Sequence, residues 1–541
     1  MIQTDALTLA RQIRTKEISP VAVVDAVLRR IEALQPAVNA FITVTAEEAR
    51  EAARRAEAAV KAGERLGPFH GVPFSVKDLL FTKGVRTTMG SRIFADQVPA
   101  EDAVLRRIEA LQRTVNAFIT VTAEEARAAA RRAEAAVMAG ERLGPFHGVP
   151  FSVKDLLFTK GVRTTMGSRI FADQVPAEDA VPVRRLREAG AILVGKTTTP
   201  EFGHKPLTDS PLFGVTRNPW DLSRTAGGSS GGAAAAVATG QGPLALGTDG
   251  GGSIRIPAAC CGIVGLKPTL GRVPHIHQAD LFSSTSYIGP MARSVAEASA
   301  CFDVIAGFDP GDPYSRPEPV DDPRGVEVRG LRLGWLPRVG NRLVDAYVLG
   351  SCEAAVRHLE GQGARVETVE EDFVPFEQTF LVFLQAGLAA RVGPHMATFG
   401  DKVARSLRES IERGARWSAA DWANALAQRT TVYRRVRALC ERFDFLLSPT
   451  LARPPLAVDH DPYEPITIGS ESAGSIRGAW YPYLWPFNLS GHPAVSLPCG
   501  WSSDGLPIGL QIVGPWYGDR RVLALAGHLE RERPCARPMP L

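Results

Sequence analysis

Long apolar runs are missing from this chain: no stretch of 18 or more apolar positions occurs in its 541 residues. That absence excludes a bilayer-spanning helix, and no membrane partner is expected. The opening residues, MIQTDALTLARQIRTKEIS, mix charged and apolar groups without the apolar core of a secretory signal, so a cytoplasmic location is expected. Cysteine is scarce as well. Seven residues, an odd number with no CxxC spacing, exclude a disulfide framework in a chain of this length. His275 and His277 do not by themselves complete a metal site, so no metal is expected. A charge excess is lacking too. The 62 basic and 58 acidic residues leave a net charge of +4, which gives no electrostatic case for nucleic acid. Basic pairs such as Arg54-Arg55 and Arg106-Arg107 sit in Glu-containing helical patterns and read as solvated faces. GxxxxGK[ST] is absent, and no other cofactor motif is evident, so no cofactor is expected.

What is present first is a repeat. Residues 27–103 recur at 104–180 with an offset of 77, and only Pro36/Arg113, Ala37/Thr114, Glu51/Ala128 and Lys61/Met138 differ. Solenoid repeats diverge and come in three or more copies, whereas this is one recent tandem duplication. A single domain over 1–541 is therefore expected, with one of the two copies supernumerary.

The remaining pattern alternates strands and helices. Ser19-Pro20 opens a helix, and Thr45 with Glu48 fits a capping box. GVPFSVK, at 71–77 and again at 148–154, reads as a loop entering a short strand. A helix closed by Gly190 precedes the apolar strand 191–195. Helical patterns dominate 294–306, 343–361 and 376–440, and the last of these is expected to line or cover a substrate funnel. Strand candidates return at 443–447, 494–497 and 508–513. This order predicts an α/β architecture, a large mixed sheet covered by helices on both faces.

The informative window is Thr225-Ala226-Gly227-Gly228-Ser229-Ser230-Gly231-Gly232, followed by Gly247-Thr248-Asp249-Gly250-Gly251-Gly252-Ser253-Ile254-Arg255. Two serine-bearing glycine turns flank one helix-plus-strand unit. Consecutive N–H groups at Gly250, Gly251, Gly252 and Ser253 form a concave nest suited to an oxyanion, with a serine at its end. Serine needs a base, and no His lies close in sequence to either turn. A lysine serves when burial keeps it neutral. Lys154, on a short apolar strand, qualifies, and strand alternation sends Asp155 to the opposite face. Asp249 and Arg255 read as an ion pair bracing the turn.

These residues resemble the amidase signature family. GGSSGG, GTDGGGSIRIPA and GLKPTLGRV (265–273) carry the resemblance, with GVPFSVKD, GKTTTPEFG (195–203), TRNPWD (216–221) and GPMARSV (289–295) around them. LLSPT (446–450), PFNLSGHPAVSLPCG (486–500) and GLPIGLQIVG (505–514) extend it over nearly the whole chain apart from the extra copy. The resemblance implies hydrolysis of a small-molecule carboxylic amide, with Ser253 as nucleophile, Ser229 as proton bridge on a cis peptide after Gly228, and Lys154 as base. Ser230 is implied as a support within its turn. A homodimer is compatible with the family pattern. Gly250 departs from it, since many members carry Thr there; the backbone donor survives, while side-chain contacts do not.

Three other readings stand beside this one. Gly227-Gly228-Ser229-Ser230-Gly231 satisfies the GxSxG of α/β-hydrolases, which would require a distant His such as His492 or His528. The family also contains the glutamine-hydrolysing subunits of tRNA-dependent amidotransferases, but those tend to carry an acidic residue where this chain has WYPYLWPFNLSG. The duplication is also compatible with an impaired amidase. Lys77 and Lys154 lie in identical octapeptides, and continuity favours Lys154, because residues 104–541 then run unbroken through base, bridge and nucleophile.

Overall fold

The structure, a computed structural model, describes residues 4, 6–38, 40–41, 43–64, 66–67, 70–75, 103–283, 285–318, 323, 325–535 and 537–541. Where the sequence pattern predicts one domain, the chain divides into two compact units, Met1–Arg106 and Arg107–Leu541. The division falls beside the junction of the two repeat copies. The first unit closes on a small core of its own: Leu9, Ile13, Val23 and Val60 pack together from the helices Ala6–Arg14, Pro20–Val38 and Ala46–Ala62. The expected capping box at Thr45 does not form, because Thr45 has φ −89° and ψ 64° and its side chain makes no cap bond.

The second unit is built on one mixed sheet of eleven strands. In chain order these are β1 Phe118–Val121, β2 Pro150–Lys154, β3 Ile192–Thr197, β4 Leu244–Asp249, β5 Val264–Lys267 and β6 Tyr287–Ala292. They continue with β7 Arg332–Trp335, β8 Arg365–Thr368, β9 Phe445–Pro449, β10 Ala494–Trp501 and β11 Pro507–Val513. The spatial order is β1-β3-β2-β4-β6-β5-β10-β11-β9-β7-β8. β2 pairs in parallel with both β3 and β4, while β4–β6, β5–β6, β5–β10 and β10–β11 are antiparallel. Most of the central strands are wholly buried apolar runs, as a sheet covered on both faces requires. Ile508, Leu510 and Ile512 share a core with Val356 and Leu359 of the Ala346–Gly361 helix. The alternate residue Gly509 faces the other way, where a β-carbon would meet Ala259 of the Arg255–Cys261 helix at 2.8 Å.

The two repeat copies share their local structure and then part. In each, a Gln side-chain amide closes on the backbone of a Phe six residues on, Gln35 with Phe41 and Gln112 with Phe118. His70 Nε2 donates to the Ala56 carbonyl and His147 Nε2 to that of Ala133, both at 2.9 Å. Gly71 and Gly148 turn with φ of +75° and +76°. Beyond that turn the second copy enters the sheet as β2, while the described residues 72–75 of the first copy form no strand. Phe151 in β2 is fully buried, whereas its counterpart Phe74 is 87% exposed in a segment without strand structure. Lys77 lies outside the described residues.

Excising residues 27–103 joins Ala26 to Val104, so the helix begun at Pro20 continues into the sequence of Ala103–Val115 without a break in register. The shortened protein is expected to fold and to keep catalytic efficiency within about twofold of the full chain, because every sheet strand is retained. Thermal unfolding and amidase assay of the deletion variant check this; an insoluble or inactive product would show that the first copy belongs to the working fold.

Candidate active site

The site assembles where β2 and β4 end side by side. Lys154 is the last residue of β2 and is fully buried. Its Nζ lies 2.6 Å from Ser229 Oγ, 2.9 Å from Thr248 Oγ1 and 3.5 Å from the Thr248 carbonyl. Burial pushes this ammonium well below its ordinary value of 10.5, and the field of Asp249 opposes that only in part. Asp155 turns to the other face of the strand, as alternation predicts. There its Oδ1 stands 3.7 Å from Lys196 Nζ and its Oδ2 accepts from the Thr165 hydroxyl and N–H. Burial lowers Lys196 to about 8, with Asp155 pulling the other way. Asp155 is thereby occupied and does not hold Lys154 in its charged form.

The first glycine turn precedes the buried helix Gly231–Ala238. Gly228–Ser229 is a cis peptide, as the family resemblance implies. The helix sits so close to the chain beneath it that a β-carbon at Gly232 would meet Thr198 N at 2.4 Å and the Ala117 carbonyl at 2.6 Å. Only glycine permits that approach. Ser230 was expected to support its own turn; instead it bridges to β4. Its Oγ donates to the Thr248 carbonyl at 3.1 Å and accepts the Thr248 N–H at 3.3 Å, while its own N–H donates to the Ser253 carbonyl at 3.1 Å. Two turns distant in sequence are therefore held together by one hydroxyl and one amide.

The second turn is organised by a fully buried ion pair. Arg255 Nε donates to Asp249 Oδ2 at 2.9 Å and Nη2 to Oδ1 at 3.0 Å, a bidentate arrangement. Burial alone would raise the Asp249 carboxyl, but Arg255 and the Asn488 amide outweigh it and hold the group below the carboxylate range. Arg255 also donates to Gln511 Oε1 at 2.7 Å and Asn488 Oδ1 at 2.6 Å. Breaking such a pair by removing one partner costs about 3–5 kcal/mol, which makes it the brace of the turn. The same pair corrects the expected oxyanion nest. The Gly252 N–H donates to Asp249 Oδ1 at 2.6 Å and is spent on the brace, which leaves Gly250, Gly251 and Ser253 as donors. Gly252 has φ of +122°, a conformation side-chain-bearing residues rarely adopt.

Ser229 and Ser253 open into one cavity of about 280 Å³. Phe202, Met166, Phe380, Phe383, Leu384, Leu388 and Trp422 supply apolar walls, and Gly250, Gly251 and Thr248 lie at the serine end. The helices Glu377–Val392 and Ala419–Arg442 contribute to these walls, so the 376–440 region lines the substrate space as expected, as separate helices interrupted by loops. A β-carbon at Gly250 would meet no atom within 4 Å, so the glycine found there leaves room beside Ser253. His492 bonds Ser490 Oγ and His528 bonds Gln362 Oε1, and neither lines the cavity. His204, His275 and His277 do line it, but among the described residues no His is hydrogen-bonded to Ser229 or Ser253, the contact an α/β-hydrolase reading requires.

The family model for amidases matches residues 22–105 and again 102–523, its first stretch repeating inside the second copy. The chain belongs to the amidase signature family. This amidase is 38% identical over 445 residues to an acylamidase of Rhodococcus erythropolis, covering 81% of this chain and 92% of that protein. It is 36% identical over 471 residues to a glutamyl-tRNA(Gln) amidotransferase subunit of Moorella thermoacetica, covering 82% and 94%. A solved bacterial aryl acylamidase of the same family superposes with a TM-score of 0.74 at 31% identity, covering 81% of this chain and 94% of that one. The protein is an amide-hydrolysing enzyme.

In this amidase Ser229 and Ser253 line the cavity, while Lys154, Ser230, Asp249 and Arg255 do not line it and are joined to the two turns by the hydrogen bonds described above. Thr248, Asn488 and Gln511 had no role assigned from sequence. Thr248 receives Lys154, and Asn488 and Gln511 clamp Arg255 from more than 200 residues away. The last two lie within the FNLSG and LQIVG blocks that carried the family resemblance, the one signal able to single them out. Among the described residues no helix is long and apolar enough to cross a membrane.

Proposed function

We propose that the enzyme cleaves a small-molecule amide through an acyl-enzyme on Ser253, with Ser229 as proton bridge and Lys154 as base. The second unit, carrying the second repeat copy, is the complete catalytic domain in this reading, and the first copy is supernumerary. The observation that carries it is the 2.6 Å contact of a fully buried, carboxylate-free lysine with Ser229 beside the nucleophile turn. A neutral amine has two hydrogens and one lone pair. Donation to Thr248 Oγ1 and the Thr248 carbonyl uses the hydrogens and turns the lone pair toward the Ser229 hydroxyl.

Lys154 then takes the Ser229 proton as Ser229 takes that of Ser253, and Ser253 Oγ bonds to the amide carbon. The oxyanion forms against the N–H groups of Gly250, Gly251 and Ser253. Ser229 delivers its proton to the leaving nitrogen as the C–N bond breaks and recovers one from Lys154, which is again neutral. Water then gives up a proton through the same relay and attacks the acyl carbon, and the acid leaves as Ser253 regains its proton. The likeness to an acylamidase and an aryl acylamidase and the cavity of about 280 Å³ support a small amide as substrate. WYPYLWPFNLSG, with no carboxylate, supports such amides over glutamine and a chain that works without partner proteins. A fluorophosphonate probe is expected to modify the purified chain once, at Ser253, in step with loss of amidase activity. Stoichiometric labelling elsewhere, or none, would overturn the assignment.

A further inference from the structure

One stripe of the Glu377–Val392 helix runs along the cavity. Phe380, Phe383, Leu384, Gly387, Leu388 and Arg391 recur at spacings of three and four, and all six line it. At one end Phe380 presses on the nucleophile turn, where a β-carbon added to Gly251 would meet its ring at 2.4 Å. Arg391 stands eleven residues on, about 16 Å along the axis at the rise of an α-helix. Between them Gly387 weakens the helix interior and leaves the cavity open, since a β-carbon there would meet no atom within 4 Å.

Among the described residues Arg391 is a cation at this cavity without a counter-ion. Its guanidinium lies over the Phe202 ring, 5.2 Å from the centroid, and among the described residues no carboxylate comes within ion-pair distance. It is exposed by area, yet the walls crowd it enough to lower its affinity for the proton by desolvation alone. Of the other charged groups described at the cavity, Lys205 and His277 are ion-paired, with Asp209 at 2.7 Å and Glu178 at 3.0 Å, and Asp280 engages the backbone N–H groups of Phe282 and Ser283 through Oδ1 alone. A cation at a helix C-terminus is favoured by the dipole, but that alone gives no reason for it to line a ligand cavity.

We propose that the cavity is built for elongated amides whose arm ends in a carboxylate or comparable monoanion, recognised by Arg391 while the reactive carbonyl sits at Ser253. This rests on the reading of Ser253 as nucleophile. Phe383, Leu384 and Leu388 lie against the arm, and their low polarity strengthens a guanidinium–carboxylate pair at its end. Arg391 is a specificity residue, remote from the bond that breaks.

The test measures kcat/KM of the purified full chain on two matched series. In one, succinyl, adipyl and sebacyl para-nitroanilides with a free carboxylate are set against alkanoyl para-nitroanilides of equal length. In the other, N-acetyl ω-amino acids are set against N-acetyl alkylamines. The acidic-to-neutral ratio is expected to rise with arm length in at least one series. Arg391→Ala is expected to lower that ratio by about tenfold or more, and Arg391→Glu to lower it further. A ratio equal in wild type and both variants overturns the inference and leaves the serine chemistry standing. No turnover in either series overturns it as well, and labelling of Ser253 by the phosphonate probe then tells whether the nucleophile assignment falls with it.

Discussion

Ser253→Ala is expected to lower kcat/KM by about four to six orders of magnitude, the largest effect of any single substitution in this protein. In the proposed reaction its hydroxyl oxygen is the atom that bonds to carbon, and alanine offers no replacement. The substitution keeps the Ser253 N–H and carbonyl, and the carbonyl still accepts the Ser230 N–H that joins the two turns. Because Ser253 is half-buried at the cavity rather than packed in the core, the unfolding midpoint is expected to move by no more than about a degree or two. What survives is the contribution of the glycine nest and of substrate binding. A variant within tenfold of wild type, measured on material free of host amidases, would remove Ser253 from the reaction.

Lys154→Ala is expected to cost about two to four orders of magnitude, while Lys77→Ala leaves kcat/KM unchanged. The two lysines occupy identical octapeptides, so chemistry alone does not separate them; the difference lies in what surrounds Lys154. Its base form must be populated near neutrality. An ordinary lysine, titrating at 10.5, would hold the site protonated there, whereas burial brings Lys154 well below that value. Activity is therefore expected to be present above the depressed folded value and to be lost as pH falls through it. Stability follows the same sign. Below 10.5 the unfolded chain binds a proton at this position that the folded chain resists, so wild type gains stability relative to Lys154→Met as pH rises. The gain stops once pH passes 10.5 and the two states bind equally, and its slope is at most about 1.4 kcal/mol per pH unit. Kinetic assay of the two alanine variants, with urea titrations of wild type and Lys154→Met across pH, checks both parts. Activity kept in Lys154→Ala and lost in Lys77→Ala would assign the base to the first copy.

The two serine turns were legible because each is local. A glycine cluster, a serine and the helix or strand beside it fall within eight or nine consecutive residues, and the backbone requirements are written in the glycines themselves. The proposed base was suggested by its type, an apolar strand carrying Lys and no neighbouring His. The support of the site was less so. Ser230 bonds across to Thr248 rather than within its turn, and Gly252 gives its N–H to Asp249, because each polar group in a buried turn takes the nearest partner regardless of sequence distance. Asn488 and Gln511 reach Arg255 from more than 200 residues along the chain, and a buried guanidinium with five donors requires such partners without saying which residues supply them.

The repeat separates what composition and order determine from what they leave open. In both copies the helices, the Gln–Phe backbone clasp, the histidine contact and the left-handed glycine form alike, since all of these are satisfied within the copy itself. FSVKDLLF is the same octapeptide at 74–81 and 151–158, yet Phe151 is wholly enclosed and Phe74 is 87% exposed. A β-strand has no internal hydrogen bonds: β2 exists because β3 and β4 supply donors and acceptors on both edges, and a sheet has one such gap. Sequence alone made the segment able to be that strand, and tertiary pairing decided which copy became it and so which lysine met the serines.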